Sequence, residues 1–105
     1  MFDTEGIRRL LAAGERPLRI TTHAQVEALK EGLQLDDLRH VLETGKLIEE
    51  YEGDRGLLYG WAVTIRLPIH LVVEVAEDEV VVITAYVPDP SDWIGYTRRR
   101  RREKR

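Results

Sequence analysis

Pro68-Ile69-His70-Leu71-Val72-Val73, followed after one short turn by Val82-Ile83-Thr84-Ala85-Tyr86-Val87-Pro88, decides how this chain folds. Both stretches are rich in β-branched and aromatic residues and are bounded by turn formers, so each reads as a strand. The Glu77-Asp78 turn between them is too short for a crossover, which makes the pair antiparallel. His70, Thr84 and Tyr86 therefore lie on neighbouring strands of one sheet. A histidine inside an apolar strand is costly to bury unless its ring nitrogens find partners, so His70 is a candidate functional residue. The hairpin register decides which face it shares. An odd-length loop around Glu77 and Asp78 aligns His70 with Thr84 and Tyr86, whereas a loop of two or four residues puts them on opposite faces.

Working outward, the third strand alternates Ile69, Leu71, Val73 and Val75 with His70, Val72 and Glu74, and the fourth runs from Val80 to Val87. Before them, Leu57, Tyr59, Trp61, Val63 and Ile65 alternate with Leu58, Gly60, Ala62 and Thr64, giving one bulky face and one of smaller residues. Gly60 and Ala62 suggest a shallow groove on the open face. Lys46 to Glu52 is a further strand, closed by the turn cluster Gly53-Asp54-Arg55-Gly56. Helices come first. Ile7, Leu10 and Leu11 mark one from about Asp3 to Ala13, with Gly14 as its stop. Pro17 to Thr21 is a short strand or an extended lead-in. Thr22-His23-Ala24-Gln25 fits a capping box with Thr22 as N-cap, opening a helix that ends at Gly32. Asp36 and Asp37 favour the first turn of the next helix, and Gly45 closes it. The expected fold is α+β, with N-terminal helices on one face of a four-stranded antiparallel sheet.

A chain of 105 residues makes one domain. It has no cysteine, which excludes disulfides, thiolate metal sites and cysteine nucleophiles. No apolar run reaches the roughly 20 residues of a membrane span. The N-terminus has no signal-peptide pattern, so a cytoplasmic location is expected. The net charge of −3 conceals a division: Arg98 to Arg105 holds seven basic residues and one acidic. Removing these from 16 basic and 19 acidic residues leaves 9 and 18, a body of −9 over residues 1–97. Residues 1–97 are read as the single domain and residues 98–105 as a basic, disordered and solvated tail, the alternatives being contact with a polyanion and folding back on the acidic body.

His23, at the start of its helix, faces the positive end of the helix dipole, which favours the neutral imidazole a general base needs. The alternative is a structural role at the strand–helix junction. For His70 the alternative is a buried histidine paired with Glu74 or a tyrosine. His40 reads as a surface residue. Three scattered histidines without paired spacing do not suggest zinc, no phosphate loop is present, and no cofactor is expected.

The order Ile20-Thr21-Thr22-His23-Ala24, Gly45-Lys46-Leu47-Ile48-Glu49-Glu50-Tyr51, Leu58-Tyr59-Gly60, Pro68 to Val73, Ile83-Thr84-Ala85-Tyr86-Val87-Pro88-Asp89-Pro90 and Trp93 resembles the prokaryotic domain-of-unknown-function 4258 family. The resemblance spans roughly Phe2 to Trp93. That family is similar in plan to RelE-like and colicin-like ribonuclease toxins, and its members are often regarded as toxin-like proteins encoded beside a small antitoxin. The resemblance thus implies a RelE/barnase-like fold and a small antitoxin as partner. Where the family carries two arginines after its His-Ala pair, this chain has Glu27 and Glu31. A phosphate-gripping cation then has to come from Arg19, Arg66 or the tail.

The expected function is that of a metal-independent endoribonuclease of a toxin–antitoxin type system. It needs a base, an acid and a cation for the phosphorane. His23 or His70 is assigned as base and acid, Tyr86 as proton donor or stacking platform, and Thr84 as the group that orients a histidine. Arg66 and Arg19 are assigned to substrate. The alternative is a non-catalytic module of the same fold that holds a protein partner through that face or a sheet edge. A homodimer joined through its sheet edges is a third possibility.

Overall fold

The computed structural model describes residues 1–101. Its elements are α1 (Thr4–Ala12), β1 (Leu18–Ile20), α2 (Thr22–Lys30), α3 (Leu35–Thr44), β2 (Lys46–Tyr51), β3 (Arg55–Trp61), β4 (Pro68–Val75), β5 (Val80–Tyr86), β6 (Trp93–Ile94) and β7 (Arg98–Arg99). The main sheet has five strands in the order β1-β5-β4-β3-β2. Four are the expected antiparallel meander. The fifth is a correction: Pro17–Thr21 is more than a lead-in, because Leu18–Ile20 pair in parallel with Val80–Val82. The chain can make this parallel contact because α2, α3 and three strands intervene before β5.

Helices α2 and α3 lie on one face of the sheet. Ala24 and Ala28 of α2 and Leu38, Val41 and Leu42 of α3 join Leu58, Ile69, Leu71, Val73, Val82 and Ala85 in a single buried core. Residues 38, 41 and 42 have the i, i+3, i+4 spacing of one helix stripe, and each fully buried Leu or Val is worth roughly 1.5–3 kcal/mol. Gly60 faces this core and not an open groove. A Cβ there would lie 3.1 Å from Val41 Cγ2, so the glycine allows α3 to approach the sheet. The cap of α2 falls one residue earlier than expected. Thr21 is the N-cap, its hydroxyl accepting from the Ala24 N–H at 3.0 Å, and His23 is the second helical residue.

The strand expected to reach Ile65 stops at Trp61 because a buried carboxylate captures the chain beyond it. Asp37, fully buried, accepts from the backbone N–H groups of Val63 (2.8 Å) and Thr64 (2.9 Å) and from the Thr64 hydroxyl (2.5 Å). Its other contact is the Gln34 N–H at 2.9 Å, which caps α3. Burial opposes ionisation here, but these four hydrogen bonds outweigh it and hold the carboxyl below its usual range.

The loop between β4 and β5 is Ala76–Glu79, four residues, the length expected to separate His70 from Tyr86. A β-bulge reverses that outcome. Val75 pairs with Val80 and Val73 with Val82, but Val72 then pairs with Thr84, leaving Ile83 as an extra residue. Beyond the bulge His70 stands opposite Tyr86, and His70, Thr84 and Tyr86 share the face away from the helices.

Candidate functional site

The face opposite the helices is not open. After β5, residues 89–101 cross it as a strap containing the small β6–β7 hairpin, in which Trp93 pairs with Arg99 and Ile94 with Arg98. The basic segment expected to begin as loose chain at residue 98 thus starts inside a hairpin, while the rest of that expected tail, 102–105, lies outside the described residues. Asp89 starts the strap: its carboxylate accepts from the Ser91 N–H at 2.8 Å and its carbonyl from Asp92 and Trp93. Gly95 and Tyr96 both have positive φ at the hairpin turn. That conformation is uncommon for an aromatic residue, and here it accompanies a specific contact.

The Tyr96 carbonyl lies 2.6 Å from Nε2 of His70. A carbonyl only accepts, so Nε2 carries the proton and donates. Nδ1 is then the acceptor of the neutral ring, and the Tyr86 hydroxyl donates to it at 3.1 Å. The imidazole is fully buried, with the Trp93 ring edge-on at 4.4 Å and Tyr59 at 6.0 Å. Burial pulls the His70 pKa below its ordinary value despite the raising effects of the Tyr96 carbonyl and Glu49. Burial also pushes the Tyr86 phenol up. The pair is a neutral tyrosine donating to a neutral histidine whose far nitrogen is fixed by a carbonyl. Such a base-and-orienter arrangement lets a hydroxyl pass its proton inward.

A second set of contacts fastens the strap to the sheet edge. Arg99 donates to Glu49 Oε1 through Nη2 at 2.9 Å and to Oε2 through Nε at 3.3 Å, and its guanidinium stacks 4.6 Å from the Trp93 ring centroid. The Tyr51 hydroxyl donates to the same Glu49 at 2.5 Å. Burial disfavours the Glu49 anion, but the Arg99 and Tyr51 hydrogen bonds outweigh it and lower its pKa. Tyr51, buried in part and donating to that carboxylate, is pushed up to about 12.

Beside Tyr86 the strap leaves a cleft of about 480 Å³, lined by Ser91, Asp92, Trp93, Arg99, Arg100 and Arg101. Arg100 donates through Nε to the Pro90 carbonyl at 2.7 Å, which positions the guanidinium without neutralising it. Of the three sources of a cation weighed above, the tail is the one beside His70's partner.

Residues 20–87 match the family described as Domain of unknown function (DUF4258). The chain belongs to this family. The match to DUF4258 is narrower than the resemblance drawn from Phe2 to Trp93. It takes in His23, His70, Thr84 and Tyr86 and ends before the strap. No curated protein and no solved structure matches the chain.

The remaining sequence candidates fall elsewhere in this DUF4258 domain. His23 is exposed at the start of α2, on the helical side, and does not line the cleft. Arg19 is held by Glu79 through two contacts, 2.8 and 3.1 Å. Arg66 is exposed in the loop 62–67. Thr84 shares the face, but His70's two nitrogens are taken by Tyr86 and Tyr96. His40 is half-buried. Sequence reasoning passed over Glu49, Tyr96 and Arg99. The signal available for Arg99 was the stated option that the tail folds back on the acidic body. Among the described residues, no group of three His, Asp or Glu side chains is arranged to hold a metal.

Proposed function

We propose that this chain is a toxin-like, metal-independent endoribonuclease of a toxin–antitoxin type system, similar in plan to RelE-like ribonucleases. The observation that carries the reading is the Tyr86–His70 pair at the edge of a cleft lined by Arg99, Arg100 and Arg101. In this reading the RNA phosphate sits against Arg100 and Arg101. The 2′-hydroxyl gives its proton to the Tyr86 oxygen as the Tyr86 proton moves to Nδ1 of His70. The new 2′-O–P bond forms as the P–O5′ bond breaks, leaving a 2′,3′-cyclic phosphate. Tyr86 then protonates the departing 5′-oxygen and recovers its own proton from His70, so both residues end as they began. The Tyr96 carbonyl orients the His70 ring, the part expected of Thr84, and stabilises the imidazolium formed in between. His23, Arg19 and Arg66 take no part.

The test is cleavage of a mixed RNA in EDTA by wild type, Tyr86→Phe and His70→Gln, each checked for folding by circular dichroism. Loss of at least about 100-fold in both variants is expected, the usual worth of a general acid–base group. No cleavage by folded wild type overturns the proposal. A second reading, a non-catalytic module that holds a protein partner, draws on the complete burial of His70 and on the exposed side chains Leu29, Val63 and Ile65. There the RNA stays intact, and Leu29→Asp and Val63→Asp lose the partner while His70→Gln retains it.

A further inference from the structure

A second concavity lies on the helical side, where α1, α3 and β1 meet. It holds about 610 Å³, within the range of binding sites, and is lined by Arg8, Leu11, Arg16, Leu18, Arg39 and Leu42, with Glu43 as the one carboxylate. Its charge runs against that of the molecule around it. Residues 1–97 have twice as many acidic as basic side chains, yet three arginines gather here around one glutamate. Arg9, Arg19, Lys30 and Arg55 are each paired with a carboxylate. Arg16 and Arg39 form no ion pair among the described residues, and both line this groove.

Two of these arginines are anchored, and of the two only Arg8 shares its charge with a carboxylate, Glu5. Arg8 donates through Nε to the Leu42 carbonyl at 3.1 Å and through Nη2 to the Gly45 carbonyl, at the end of α3, with Glu5 on its remaining nitrogen. Arg16 donates through Nη1 to the Ala76 carbonyl at 3.0 Å, in the β4–β5 turn. Arg39 projects from α3. Arg8 is held to the end of α3 and Arg16 to the β4–β5 turn, while Arg39 stands on α3 itself, so a single carboxylate does not satisfy them. A chain carrying several carboxylates does, and the leucines between the arginines call for apolar side chains on the same ligand.

We propose that this groove binds an acidic amphipathic segment of a partner protein, its apolar side chains against Leu11, Leu18 and Leu42 and its carboxylates on Arg16 and Arg39. This is the groove mode of peptide recognition, with charge complementarity setting the partner's sign. The site is on the opposite side of the sheet from His70, and the inference does not depend on the ribonuclease reading.

The test uses two synthetic amphipathic helical peptides with the same leucine stripe, one with glutamate at the polar positions and one with lysine. Each is titrated into the full-length, isotope-labelled protein and followed by amide shifts. The glutamate peptide is expected to bind, to move Leu11, Ala12, Leu18 and Leu42, and to weaken with salt. Arg16→Glu with Arg39→Glu is expected to cost at least about tenfold in affinity, the worth of one charged hydrogen bond. Arg39 is exposed and Arg16 half-buried, and unchanged amide shifts in the sheet confirm that the variant is folded. Equal binding of the two peptides overturns the proposal. So do shifts confined to Arg98–Arg101, failure of the glutamate peptide to bind, or undiminished binding by the double variant.

Discussion

The hydroxyl of Thr21 donates to the carbonyl of Ile83 at 2.8 Å, tying the N-cap of α2 to the extra residue of the β5 bulge. The same oxygen accepts from Ala24 N–H, so one side chain both starts a helix and fixes a strand register. Without the bulge the pairing from Val75–Val80 would continue and set His70 opposite Ala85. Thr21→Val is expected to cost about 1–2 kcal/mol, the usual worth of a cap, and Thr21→Ser to restore most of it. Urea unfolding measures both. A loss below 0.5 kcal/mol for Thr21→Val, on the order of surface substitutions, counts against the double role.

Asp37 gives a larger effect. Asp37→Ala leaves three backbone N–H groups and the Thr64 hydroxyl without their acceptor in a buried place, and a loss of about 3 kcal/mol or more is expected. The carboxyl's lowered pKa adds a pH signature. Its contribution is complete above the unfolded value of 3.8 and is lost as pH falls through the folded value below it. Chemical unfolding across that acid range is expected to show the slope in wild type and a reduced one in Asp37→Asn.

Replacing Glu49 by glutamine removes the anion that Arg99 and Tyr51 share. The Tyr51 phenol, raised to about 12 first by burial and then by Glu49, is expected to fall part of the way toward its ordinary value of 10, read by ultraviolet titration of the Glu49→Gln variant against wild type. Trypsin is expected to cut after Arg98–Arg101 faster in that variant, because the strap loses its ion pair. An unchanged tyrosine titration and an unchanged cutting rate would together show that Glu49 does not hold the strap.

His70 acts in a different pH window. Its folded pKa is depressed below the unfolded 6.5, so between those values the unfolded chain binds more protons and stability rises with pH. Its contribution is complete above 6.5 and declines as pH falls toward the folded value. His70→Gln keeps a donor for the Tyr96 carbonyl and an acceptor for Tyr86 but cannot titrate. A flatter stability profile below pH 6.5 is therefore expected for this variant, and a profile parallel to wild type would assign the slope to other groups.

Local patterns carried much of this fold into view. Helix α3 and its Gly45 stop, β2 with the turn after it, and the β4–β5 hairpin all follow from periodicity and turn residues, which act over a few positions. What did not follow depends on contacts between distant positions. The pairing of β1 with β5 spans more than sixty residues and rests on only three residues of strand. β3 stops short because Asp37, more than twenty residues earlier, takes the backbone of Val63 and Thr64. The bulge at Ile83 has no glycine to announce it. At the candidate site, His70, Thr84 and Tyr86 were legible as residues of neighbouring strands, but that they share a face depends on the bulge, and Arg99 looked like one arginine in a run. Only its position beside Trp93 and opposite Glu49 distinguishes it.

The strap gives the chain a direction in time. Glu49, His70 and Tyr86 are synthesised in order, and the side chains that cover them, Trp93 to Arg99, come after all three. The His70 face therefore stays bare in a nascent chain until residues 93–99 have left the ribosome. A chain that stopped shortly after Tyr86 would lack both the Trp93 ring and the Tyr96 carbonyl that cover His70. For this protein residues 89–101, and not the core, decide whether the folded molecule presents that face or hides it.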